Sequence, residues 1–60
     1  MHNYYRFIKS RYSNIADILA EQAKKENLTI RIIENFDDDN DQKRISVIVV
    51  NDVIIDIYRG

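Results

Sequence analysis

Carboxylates concentrate in residues 37–42 of this sequence. Asp37, Asp39 and Asp41 have the alternate spacing that opens an EF-hand calcium loop. The rest of that motif is absent, because position six is glutamine instead of glycine and position twelve is isoleucine instead of glutamate. We therefore predict no metal site and no cofactor here. The composition is typical of a solvated hairpin loop, in which aspartates favour turn conformations.

The same acidic residues have a second interpretation, as a negative patch that docks on a basic surface of another protein. The patch consists of Glu34, Asp37, Asp38, Asp39 and Asp41. Five acidic residues carry too little charge to resemble a nucleic-acid backbone closely. They are nevertheless candidates for partner binding.

Three cations, Arg6, Lys9 and Arg11, alternate with aromatic residues near the N-terminus. Such a pattern can bind nucleic acid, since bases stack on aromatic rings while cations meet phosphates. Three cations are few, however, and Tyr5 and Tyr12 are also needed in an apolar helical stripe. We interpret the segment as core packing with a solvated basic edge that is available to a partner. Nucleic-acid binding is the alternative.

The side chains that usually perform catalysis are poorly placed. His2 is the only histidine and adjoins the first residue, where no group can be held against a substrate. Ser10, Ser13 and Ser46 have no histidine positioned to activate them. A phosphate-binding glycine loop is excluded, because Gly60 is the only glycine. We predict that the chain is not an enzyme.

Residues 44–58 carry the strongest structural signal. Two runs rich in β-branched residues meet at Asn51-Asp52, a pair that suits a two-residue hairpin turn. A regular hairpin pairs Val49 with Ile54 and continues in the same alternation. Both faces of the resulting sheet are then apolar, although a small monomer needs only one.

The alternation of side chains with a period of two also occurs earlier in the chain, from residue 28 onward. We therefore predict three strands, over residues 28–36, 43–50 and 53–58. They form an antiparallel meander with the middle strand at its centre. One face, which the helix should cover, carries Leu28, Ile30, Ile32, Ile45, Val47, Val49, Ile54 and Tyr58. The other face is predicted to be a dimer interface, made by Ile33, Ile48, Val50, Val53, Ile55 and Ile57.

An amphipathic helix precedes the strands. Its apolar stripe consists of Ile8, Tyr12, Ile15, Leu19 and Ala23, with Tyr4, Tyr5 and Ile18 beside it. We predict one helix from about residue 3 to residue 26, followed by a left-handed residue at position 27. The alternative is a helix capped by the serine or asparagine at positions 13 and 14, with residues 3–11 as a separate turn or short helix.

Bulk properties complete the fold prediction. Sixty residues form one α+β domain of the order α-β-β-β. A domain of this size is only marginally stable unless disulfides, a metal or oligomerisation stabilise it. There are no cysteines to supply disulfides, so we expect oligomerisation. The net charge of −1 gives no bulk attraction to nucleic acid or membrane, and no segment approaches a membrane span.

These observations predict a small, non-enzymatic homodimer that binds and modulates a larger protein. Eleven isoleucines, six asparagines and no proline indicate an AT-rich genome. This composition suits an inhibitor encoded by a phage or mobile element, of the anti-defence or host-takeover type, in the cytoplasm of a bacterial host. A nucleic-acid-binding regulator, a metal-responsive module and an enzyme are the other classes.

Overall fold

The computed structural model describes residues 4–60, so His2 and the predicted helix start at residue 3 lie outside the described residues. The elements are a 3₁₀ helix (Tyr4–Phe7), α1 (Tyr12–Lys25), β1 (Thr29–Ile33), β2 (Arg44–Val50) and β3 (Val53–Arg59). The strands form one sheet in the order β1-β2-β3. The predicted α+β class is confirmed.

The predicted single helix from residue 3 to residue 26 is wrong, because the chain leaves helical geometry before α1. Lys9 has a positive φ of 76°, and Arg11 forms an antiparallel bridge with Val53. The Lys9 N–H donates to the Ile54 carbonyl at 2.7 Å, and the Ile54 N–H donates to the Ser10 carbonyl at 2.9 Å. Residues 9–11 therefore pair with the edge of β3.

The start of α1 is capped by the hairpin turn instead of by a neighbouring side chain. Arg11 occupies the N-cap position and makes no side-chain cap bond. Asp52 supplies the missing acceptors: its carbonyl accepts the Tyr12 N–H at 2.7 Å, and its carboxylate accepts the Ser13 N–H at 3.0 Å. The first N–H groups of a helix need such partners. The alternative prediction is therefore wrong in its cap at Ser13 or Asn14, but the separate short helix that it placed before α1 is present at Tyr4–Phe7.

The end of α1 follows the prediction. Asn27 has a φ of 58°, in the left-handed region. Its N–H donates to the Lys24 carbonyl, and the Leu28 N–H donates to the Ala23 carbonyl. This pair of bonds is the Schellman arrangement, which satisfies the last carbonyls and turns the chain into β1.

The first strand pair differs from the predicted meander. β1 and β2 are parallel, with Thr29 opposite Arg44 and Ile33 opposite Ile48. Residues 34–43, which we call the crossover loop, therefore return the chain from the end of β1 to the start of β2, and they contain no helix. The hydrophobic alternation of β1 is compatible with either direction of pairing, so only long-range contacts could decide it.

The second strand pair is antiparallel, as predicted, and its turn is confirmed. Asn51 and Asp52 have φ values of 52° and 66°, which a type I′ hairpin turn requires. The register is Val50 opposite Val53 and then Val49 opposite Ile54, as expected from a two-residue turn.

Beyond these pairs a β-bulge changes the register. Ile48 lies opposite Asp56 instead of Ile55, and Val47 lies opposite Ile57. Two residues of β3 thus oppose one residue of β2, which reverses the alternation for the rest of the strand. As a result Ile57 faces α1 and Tyr58 faces away, and both predicted positions are wrong.

The core lies between α1, the 3₁₀ helix and one face of the sheet. Its buried residues are Phe7, Leu19, Ala23, Leu28, Ile45, Val47, Ile54 and Ile57. The predicted helical stripe packs here, with its three other members partly buried against this cluster.

Candidate protein-interaction surface

The sheet face opposite α1, which we call the second face, divides into two halves. The half next to the hairpin turn, which we call the apolar end, consists of Ile33, Ile48, Val50, Val53 and Ile55. The half next to the crossover loop carries Arg31, Arg44, Ser46 and Tyr58. The structure thus brings together five of the six residues predicted for a dimer interface.

Exposure within the apolar end is uneven. Ile48 is buried within the single chain, and Ile33 and Val53 are half-buried. Val50 and Ile55 remain 41% and 51% exposed. The need for a covering partner is therefore smaller than the sequence suggests, but two large apolar side chains on the end of a sheet are still in water.

The sixth predicted interface residue, Ile57, is not on this surface. The bulge turns it into the core, where it is 2% exposed. It is corrected from an interface residue to a core residue.

A buried polar network occupies the other half of the second face. Ser46 is fully buried in the middle of β2, and its hydroxyl donates to the Gly60 carbonyl at 2.8 Å. The Arg31 Nε donates to the Ser46 Oγ at 3.0 Å, and the Arg44 Nε donates to the Gly60 carbonyl at 3.1 Å. A buried hydroxyl needs such partners, so this network fixes the three strands to one another.

The crossover loop is attached to this network by its carboxylates. Asp37 accepts two hydrogen bonds from the Arg31 guanidinium, at 2.9 and 3.1 Å. Asp39 lies 3.6 Å from Arg31 and 3.5 Å from Arg44. The hydrogen bond from Arg31 is the main cause that lowers the pKa of Asp37, and the same bond raises the pKa of Arg31. Two members of the predicted acidic patch are therefore partnered within the chain.

The other acidic residues of the patch are exposed. Asp41 accepts the backbone N–H of Lys43 at 2.9 Å, while Glu34 and Asp38 lie at the surface of the loop. Within residues 4–60, no three histidine, cysteine or acidic side chains converge as a metal site requires. Salt bridges to Arg31 and Arg44 thus engage two of the five acidic residues of the predicted patch.

A shallow cleft of about 270 Å³ lies between the crossover loop and the end of β3. Its walls include Phe36 and Tyr58, whose ring centroids are 5.1 Å apart. Phe36 is 65% exposed, so this aromatic contact holds the loop to the sheet without burying it.

The predicted basic edge is partly engaged by other groups. The Arg6 guanidinium lies 4.7 Å from the centre of the Phe7 ring, a cation–π contact. The Arg11 Nη1 lies 3.9 Å from a carboxylate oxygen of Asp52. All three cations, Lys9 included, are exposed.

Two polar contacts that sequence reasoning missed hold α1 in place. The Ser13 hydroxyl donates to the Asp52 carboxylate at 2.6 Å, and this hydrogen bond is the main cause that lowers the pKa of Asp52. The Tyr4 hydroxyl donates to Glu26 at the end of α1. Burial, and then this bond, raises the pKa of Tyr4 to about 12. Neither pair has a signature in local spacing, because each joins residues far apart in the sequence.

No protein-family model, curated protein or solved structure matches the chain. Across residues 4–60, none of the helices has the length and apolar character needed to cross a membrane.

Proposed function

We propose that this chain is a non-enzymatic protein-interaction module that pairs with a second copy through the apolar end. The observation that carries the proposal is the convergence of the half-exposed Val50 and Ile55 with three further apolar side chains on one end of the second face. An apolar centre with charged neighbours, here Asp56 and Arg11, is the usual anatomy of an interface.

The polar side chains support a non-enzymatic role, because those best suited to chemistry are engaged in holding the fold. Ser13 binds Asp52, and Ser46 is buried in the network with Arg31. Asp37 is likewise bound to Arg31. Each of these bonds stabilises a contact between elements of the fold.

The expected association is weak. Full burial of one Val or Ile side chain contributes about 1.5–3 kcal/mol, and the exposed halves of Val50 and Ile55 contribute less. A standard interface buries about 800 Å² per partner, whereas within the apolar end only Val50 and Ile55 are largely exposed, at 41% and 51%. We therefore expect a dimer that dissociates on dilution.

The test is the solution mass by light scattering over a dilution series. We expect a mass that falls from twice 7.2 kDa toward 7.2 kDa as the protein is diluted. Ile55→Lys should give 7.2 kDa at every concentration. Ile18→Lys is the matched control, since Ile18 is 52% exposed on α1 and Ile55 is 51% exposed. A wild-type chain that is monomeric throughout, or equal effects of the two variants, would contradict the proposal.

Binding to a larger target protein, and an origin in a phage or mobile element, remain predictions from the size and composition of the chain. The contacts of Arg6 with Phe7 and of Arg11 with Asp52 favour a protein partner over nucleic acid, because they engage two of the three cations. A salt-dependent shift with DNA or RNA would support the nucleic-acid alternative.

A further inference from the structure

The two edge strands of the sheet, β1 and β3, differ in how far they are protected from pairing with further strands. The β3 edge is covered near the turn by residues 9–11, whose backbone bonds to Ile54. It is then interrupted by the bulge at Ile55, and the Asp56 carboxylate accepts the N–H of Ile57 at 2.8 Å. Pairing, bulges and edge carboxylates are the devices by which proteins keep a strand edge from adding further strands.

The β1 edge has none of these devices within residues 4–60. The Thr29 N–H donates to the Lys43 carbonyl beside β2. Because successive residues of a strand direct their backbone N–H and C=O groups to opposite sides, those of Ile30 and Ile32 point away from β2 and out of the sheet. No hydrogen bond from the described chain reaches them. β1 contains no proline or bulge, and its one charged side chain, Arg31, is bound over the second face.

We propose that the β1 edge binds an extended segment of another protein as an added antiparallel strand. The backbone groups of Ile30 and Ile32 would form the new ladder, and the side chain of Ile32, which is 44% exposed, would pack against the segment. This contact uses a different surface from the apolar end and does not rest on dimerisation there.

A second copy of β1 is a poorer occupant. Antiparallel self-pairing over all five residues places Arg31 opposite Arg31 of the other copy, and like charges directly opposite are destabilising. Moving the symmetry axis to Ile32 separates the arginines but leaves only three residues of each strand, 31–33, in the ladder. A foreign strand has neither restriction.

The side chains of β1 define the chemistry of the partner strand. Ile30 and Ile32 lie on the α1 side, so the residues opposite them should be apolar and β-branched. Thr29 and Arg31 lie on the second face, where small uncharged polar residues fit best because Arg31 is already paired with Asp37. The partner is therefore an amphipathic strand of about five residues.

The test uses a blocked heptapeptide that alternates threonine and valine between two terminal lysines, with amide exchange measured by NMR. We expect saturating peptide to slow exchange of the Ile30 and Ile32 amides by roughly tenfold or more, because opening then requires release of the added strand. N-methylation of the valines, which face Ile30 and Ile32, should abolish the effect. N-methylation of the threonines should leave it, since those amides point away from β1.

Variants of the protein separate this proposal from the dimer. Ile32→Lys should weaken peptide binding roughly tenfold or more, whereas Ile55→Lys should leave it unchanged while removing self-association. The absence of slowed exchange at millimolar peptide, or the same response to both methylated peptides, would overturn the proposal. So would slowing at Ile30 and Ile32 that depends on protein concentration without peptide, because that result indicates self-pairing.

Discussion

Replacing Ile55 and Ile57 in turn by valine measures which of the two side chains the core contains. Ile57 is 2% exposed and Ile55 is 51% exposed, although a regular hairpin would place them on the same face. Removing one buried methylene in Ile→Val costs about 0.5–1.5 kcal/mol. A surface substitution usually changes stability by less than about 0.5 kcal/mol. We expect Ile57→Val to be destabilised by about 1 kcal/mol and Ile55→Val to match the wild-type chain.

The loss at Ile57 is measurable in a chain of this size. A 60-residue domain has a free energy of unfolding of about 3–9 kcal/mol. In such a domain 1 kcal/mol lowers Tm by about 4–8 °C. Urea unfolding followed by circular dichroism should show a lower midpoint for Ile57→Val with an unchanged slope. Alanine at Ile57 would cost about 2–5 kcal/mol and could unfold the chain, so valine is the better probe.

The measurement must be made at a concentration at which the wild-type chain is monomeric, because dimer formation would add to the stability of any variant that retains it. Equal losses at the two positions, or a larger loss at Ile55, would refute the bulge. The regular hairpin register would then be correct, and Ile57 would return to the second face.

Three further predictions concern the polar contacts. Asp52→Asn should reduce the loss of stability in acid. Hydrogen bonding to Ser13 lowers the pKa of Asp52 below its usual 3.8, so the stabilisation by this carboxylate is present above that pH and lost below it. An unchanged dependence of stability on pH in acid would argue against the cap. Tyr4→Phe should remove a loss of stability at alkaline pH. Burial and the bond to Glu26 raise the pKa of Tyr4 from 10.0 to about 12, so the stabilisation by its hydroxyl is present below pH 10 and is lost as the pH rises through 12. Asp37→Asn should speed tryptic cleavage of the crossover loop, with Asp38→Asn as the charge-matched control; equal cleavage rates would mean that the salt bridge does not hold the loop.

Local features of the chain could be predicted from the sequence because they depend on neighbouring residues. The turn at Asn51-Asp52 follows from the tolerance of these residues for positive φ, and the left-handed Asn27 follows from the same property. The apolar stripe of α1 packs into the core as its spacing indicates. The α+β class follows from the order of these periodic segments.

The tertiary structure alone decided strand direction, the helix break and the composition of each sheet face. β1 has the same alternation in a parallel or an antiparallel pair, and in the parallel pair that forms, Arg31 bonds to Ser46 of β2 and to Asp37 of the crossover loop. The break before α1 depends on backbone bonds to a strand more than forty residues away. The bulge near Ile55 moves one side chain into the core and another out of it. Such effects are invisible to local periodicity, because each is set by the free energy of contacts between segments distant in the sequence.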